Sequence, residues 1–253
     1  MENESRRVFN TGLLGSLLTL TLVHGLCRAD ALKGSVKPVV RRWLHEMEDA
    51  CARVSSGRMK PVEWQDAIAS LLSRVEMADL LKAISYEQMS RNAAFPADHE
   101  STSRIYFYQA EGLPTALHFS AYLFALKKGV SVVPHGHHNM VTMHMMLKGQ
   151  AHARHFDRVS DAADHLVIRP ASDKVIVPGD VSSISDDRDN IHWFKALTEP
   201  VFMFNIGVHK VDASRPSGDR DYVDPLGGTA LGNGLIRAPR LDKSQAYARY
   251  GNA

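Results

Sequence analysis

Between Arg104 and Val208 the chain is written in short runs of aromatic and β-branched residues, each broken off by Gly, Pro, Asp or Asn. The runs are Ile105 to Tyr108, Leu117 to Leu126, Val130 to Val133, Met140 to Leu147, Ala151 to Phe156, Leu166 to Ile168, Val175 to Val177, Ile191 to Phe194 and Val201 to Val208. Such side chains suit a pleated, half-buried surface, so each run reads as a strand. About nine short strands with turn signals between them imply a sandwich or a barrel.

This strand-rich body, residues 101–210, sits between a helical lead over 32–100 and a tail over 211–253. In the lead, Val39, Val40, Trp43, Leu44, Met47, Cys51 and Val54 recur at helical spacing, with Pro38 near the start and Gly57 just past the end. Pro61 starts a second helix with Trp64, Ile68, Leu71, Leu72 and Val75 on one side, and a third spans Glu76 to about Met89. The lead either caps the barrel or mediates a homodimer. After Lys210 the chain turns to Ser, Gly, Pro and Asp, with Gly227-Gly228 and Gly232-Asn233-Gly234, and reads as an irregular tail.

Residues 1–31 read as an address. Ser5-Arg6-Arg7-Val8-Phe9 is similar to the twin-arginine export signature, and a weakly apolar stretch from Leu13 to Leu26 leads to Ala29-Asp30-Ala31, a cleavage-type triplet. The apolar stretch falls short of the ~20 residues that a spanning helix needs. The expectation is export by the twin-arginine machinery to the periplasm or beyond, with Leu32 as the first mature residue. Only Cys51 would then remain, so the mature chain has no internal disulfide, and Cys51 is expected in the core. A chain of 253 residues with 44% hydrophobic content is long enough for one well-buried core. A net charge of +2, with no basic block interleaved with aromatics, argues against nucleic acid as the main partner.

The chemistry is concentrated at three histidines. His135 and His137 sit two apart just after an apolar run ending at Pro134. On an extended segment, residues i and i+2 share a face, so the two imidazoles can hold one metal ion together. A third ligand has to come from elsewhere. His192 is the candidate, because it opens another apolar run after a turn-rich loop.

Gly129, His135-Gly136-His137, Thr142 and Gly149 reproduce the spacing of the first cupin motif, and Pro178-Gly179-Asp180 with His192 resembles the second across a longer loop. The implied fold is mainly β with an N-terminal helical segment, a cupin-type jelly-roll β-barrel. Within cupins, Val133-Pro134-His135-Gly136-His137-His138-Asn139-Met140-Val141 and Asp189-Asn190-Ile191-His192 leading to Phe202-Met203-Phe204-Asn205 resemble the thiol dioxygenases of the cysteamine dioxygenase and plant cysteine oxidase group. The resemblance covers roughly residues 115 to 208, under half the chain. It implies Fe(II) on His135, His137 and His192, with Thr142 where many cupins place a glutamate. Three neutral imidazoles leave positions for a thiolate and dioxygen, and transfer of both oxygen atoms to sulfur gives a sulfinate. Two departures stand out: Gly136 replaces an acidic residue, and Val208-His209 stands where the group tends to have a Pro-Pro-Tyr segment.

Other residues complete the expected site. Thr142 and His144 share strand parity and are the candidate catalytic pair, His144 being a fourth ligand, a general base or, by preference, a buried hydrogen-bonded histidine. Met140, Phe194 and Phe204 are candidate substrate contacts. His118 is a possible pocket residue; His138 reads as a rim residue or a hydrogen-bond donor behind the ligands, with a ligand role as the alternative, whereas His152, His155 and His165 read as surface. The expected function is oxidation of a small thiol with O2 by a mononuclear iron enzyme. The alternatives are a metal-dependent cupin acting on a non-thiol substrate, by phenolic ring cleavage or isomerisation, and a metal-dependent binding protein without turnover; zinc, manganese, nickel and copper remain open as metals.

Overall fold

The computed structural model describes residues 38–107, 112–216 and 218–252. The export-signal reading of residues 1–31 and the Tyr108 end of the first expected strand lie outside them. Among the described residues the body is built from β1 Ser101–Ile105, β2 Ser120–Leu126, β3 Ser131–Gly136, β4 Met140–Lys148, β5 Ala151–Asp161, β6 His165–Ile176, β7 Val181–Ile184, β8 Ile191–Ala196 and β9 Val201–His209. β6 joins the two expected runs around Leu166 and Val175 into one long strand. β7, directly after Pro178-Gly179-Asp180, has no counterpart in the expected set.

The strands form two antiparallel sheets, ordered β1-β2-β9-β4-β7 and, within the larger sheet, β3-β8-β5-β6. Phe124 of β2, Met146 of β4 and Met203 of β9 pack in one buried cluster with Val132 of β3, Ala153 of β5 and Phe194 of β8. The sheets therefore face each other across a shared core, as alternation of inward and outward residues requires. This is the mainly β, jelly-roll barrel expected, with an N-terminal helical segment.

The helical lead covers the outer face of the smaller sheet. Its elements are α1 Pro38–Ser55, α2 Pro61–Ser73, α3 Met77–Ala83 and α4 Tyr86–Arg91. The third expected helix is thus two, broken where Ser85 takes a left-handed conformation at φ 54°. Trp43 of α1 stands 6.4 Å from Phe204 of β9, ring centroid to centroid, and Gln65 Nε2 of α2 donates to Ser183 Oγ of β7 at 3.3 Å. Cys51 is fully buried beside Trp64, whose Nε1 lies 3.5 Å from its sulfur, and burial pushes the thiol up to about 12. It is a core residue with no thiolate available at neutral pH.

The tail corrects its expectation. The described residues of the tail, 211–216 and 218–252, are not irregular: they supply β10 Asp221–Val223, β11 Thr229–Gly232, β12 Leu235–Leu241 and α5 Lys243–Tyr250. β10 pairs with β3 at one edge of the larger sheet, and β12 pairs with β6 at the other while also meeting β10. α5 seals the outer face of that sheet, where Ala246 and Tyr250 pack on Val133 and Trp193. These strands are short, half-exposed and separated by glycine turns, so no alternation announces them.

Candidate metal centre

Strand register brings the three histidines together. His135 of β3 lies directly opposite His192 of β8, and His192 opposite His155 of β5. Directly paired residues share a face of the sheet, here the inner one. The pairing of β3 with β8 slips between Val132 and His135. This irregularity accommodates Pro134, which has no N–H to give an interior ladder. His137 follows the end of β3, and the Asn190 side chain fixes it there by donating to its carbonyl at 2.9 Å and to Ser185 O at 3.1 Å.

The rings of His135 and His192 are 4.2 Å apart, those of His135 and His137 4.7 Å, and those of His137 and His192 5.5 Å, centroid to centroid. One ring nitrogen from each lies within 4.8 Å of the others. His135 Nδ1 donates to Val133 O at 2.7 Å, which leaves Nε2 as a free lone pair. His192 Nδ1 is buried without a protein partner. Burial holds His135 and His192 far below the ordinary imidazole value and lowers His137 to about 3, with the charge of Arg220 adding to the effect at His135 and His137. Three neutral, convergent imidazoles and an orphaned buried nitrogen fit a transition-metal ion.

The glycine between the two ligands has a steric cause. A Cβ on Gly136 would lie 2.5 Å from Asn190 Oδ1 and 2.6 Å from Arg158 Nη2. The space for the expected acidic side chain is thus filled by a guanidinium from β5, whose Nε donates to Asn190 Oδ1 at 3.0 Å. Arg158 also pairs with Asp221 at 2.9 Å and Asp161 at 2.8 Å, and Arg240 pairs with Asp221 at 2.8 Å. His138 joins this network at 2.6 Å from Asp221, turned away from the metal site. His138, Asp161 and Asp221 could also hold a cation, but two guanidiniums already neutralise them.

The triad opens into a cavity of about 380 Å³. Met140, Thr142 and His144 line it from β4, with Asn205 from β9. Thr142 Oγ1 donates to Ile206 O at 2.8 Å and accepts from Asn205 Nδ2 at 2.7 Å, so it has a wall role with no proton to exchange. The Asn205 amide also donates to Met143 O at 2.9 Å and lies 3.1 Å from His144 Nε2. Burial, then Arg220, then His155 lower His144 to about 3. His144 lies 5.5 Å from His192 ring to ring, yet its nitrogens do not join the convergent triad.

Two expected substrate contacts are placed elsewhere. Phe204 is a correction: in register with Met145 and out of step with Asn205, it faces outward against Trp43 and does not line the cavity. Phe194 is fully buried behind the cavity wall, its ring 5.4 Å from His192 and 5.0 Å from His144, where it backs the histidines and makes no wall of its own. His155 also departs from its surface reading. It is buried, bonded to Ser182 Oγ at 2.6 Å and lowered by burial to about 4. His118 is held by Glu48 of α1 at 2.6 Å, away from the cavity.

Sequence reasoning passed over Arg220, Glu100 and Tyr247. Arg220 lines the cavity and its Nη1 donates to Glu100 Oε1 at 2.8 Å, while Tyr247 OH donates to Glu100 Oε2 at 3.2 Å. The three come from β1's leading edge, the approach to β10 and α5, and no spacing links them.

No protein-family profile matches the chain, and no curated protein sequence matches it. Among solved structures it is similar to a cupin superfamily protein from Desulfitobacterium hafniense, at 16% identity over 45% of this chain and 81% of that one, with a TM-score of 0.30. It is also similar to KdgF from Halomonas sp., at 11% identity over 46% and 84% with a TM-score of 0.32, and to the 11S globulin of Wrightia tinctoria, at 12% identity over 55% and 34% with a TM-score of 0.36. At these values the likeness carries no assignment of activity, which has to come from the site itself.

Proposed function

We propose that the chain is a metal-dependent enzyme of cupin type, with Fe(II) on His135, His137 and His192, that oxidises a small thiol to a sulfinate with O2. The observation that carries this reading is the donor set: three neutral imidazoles that converge on a small cavity, with no carboxylate in the group among the described residues. Iron bound there would supply a redox-active centre with open positions for a thiolate and dioxygen.

The protein's own part is positioning and exclusion. Val133 O fixes the His135 tautomer and Asn190 fixes the His137 backbone, so two ligands arrive pre-oriented. Phe194 and Phe124 pack against His144 and keep the inner end of the site dry. The Asn205 amide lies beside His144 Nε2 and ties Thr142 and Met143 O to the same wall. Thr142, His144 and Asn205 supply a small polar wall to the cavity that the triad lines.

The test is oxygen consumption by protein loaded anaerobically with Fe(II), run against a panel of small thiols with mass spectrometry of the products. Thiol-dependent uptake and a gain of two oxygen atoms, both lost in His192→Ala, are expected. Bound iron with no uptake on any thiol overturns the thiol reading in favour of a non-thiol substrate or a binding role.

A further inference from the structure

We propose that Arg220 is the anchor for an anionic group of the ligand, so that the cavity takes a small molecule carrying a carboxylate alongside the atom that meets the metal. This names the substrate class of the site proposed above and rests on that reading.

Arg220 is the cationic residue in the cavity wall among the described residues, and it is held in place from behind. Its Nη1 donates to Glu100 at 2.8 Å and to Tyr247 OH at 3.3 Å, and Glu100 is nearly buried at 5% side-chain exposure against 28% for Arg220. A guanidinium has five donors in a rigid fork. With Nη1 clamped, no hydrogen bond among the described residues uses Nη2 or Nε, so a second edge of the fork is left for a planar acceptor such as a carboxylate. Asp219, the carboxylate beside it in the cavity wall, is exposed to solvent.

The rest of the wall agrees. Thr142, His144, Asn205 and Met140 are uncharged, so an anion meets no repulsion inside. Arg220 lines the same cavity as His135, His137 and His144. A volume of about 380 Å³ suits a compact molecule, with the anion at Arg220 and the donor atom at the triad.

Isothermal titration of the full chain tests this, once loaded with redox-silent Zn(II) and once metal-free, with mercaptoacetate, 2-mercaptoethanol and glycolate as probes. Mercaptoacetate should bind the zinc form roughly 10- to 100-fold more tightly than 2-mercaptoethanol. That preference should vanish in Arg220→Gln/Glu100→Gln, which leaves no stranded buried charge, and persist in Glu100→Gln alone. Equal binding of the charged and neutral thiols, or a preference that survives loss of Arg220, overturns the anchor. If glycolate binds as well as mercaptoacetate and both depend on Arg220, the anchor stands and the thiol reading falls. If the carboxylates bind through Arg220 with or without zinc, the anchor stands and the metal reading falls.

Discussion

At the scale of single residues, the metal centre is set by a few close contacts around the ligands. Gly136 is the clearest case, since the Arg158 and Asn190 side chains fill the space of a Cβ and are themselves pinned by Asp161, Asp221 and the His137 carbonyl. Gly136→Ala is therefore expected to destabilise the protein by about 1–3 kcal/mol, as overpacking does. Denaturant unfolding measures it, and an unchanged midpoint would mean that Arg158 moves aside freely. The glycine was visible in the sequence as a departure, but its cause was not, because Arg158 reaches it only after β5 folds back. The triad itself was legible because two ligands share one strand segment and the third opens a neighbouring one. His155 was misread although Ala151 and Ala153 share its parity and point inward. Arg220, Glu100 and Tyr247 left no local trace, since a cluster drawn from three distant segments has no period.

At the scale of elements, alternation along β9 decides which aromatic serves the site and which serves the fold. Asn205 faces the cavity and Phe204 faces Trp43 of α1. Phe204→Ala should cost about 3–5 kcal/mol, the range for a buried aromatic truncation, with the metal content of the folded protein unchanged. Lost metal at retained stability would instead place Phe204 at the ligand. The helices of the lead followed from their apolar spacing, and only the break at Ser85 escaped it, as a left-handed residue there leaves no apolar gap. The tail was illegible for a different reason. β10 and β12 are stabilised by pairing with β3 and β6 and bury little of their own side chains, so tertiary context and not pattern makes them strands.

At the scale of the molecule, a barrel with neutral histidines in its interior is poised against acid. His144 and His155 take up a proton only at about 3 and about 4, against an ordinary value near 6.5 that applies once the chain unfolds. Between those limits the unfolded chain binds more protons, so stability is fully present above about pH 6.5 and falls as pH drops toward 4, by up to about 1.4 kcal/mol per histidine per pH unit. The melting temperature of the metal-free protein should fall between pH 7 and pH 5, and a flat profile would show that these rings are not buried as described. The metal centre rests on the same feature, since neutral rings are what leave lone pairs for an ion. Metal analysis of the full chain and of His192→Ala, with circular dichroism on both, is the most direct measurement. One transition-metal ion per chain, lost in the variant while the fold persists, is the expected result; an ion retained by folded His192→Ala would contradict the assignment of His135, His137 and His192 as its ligands.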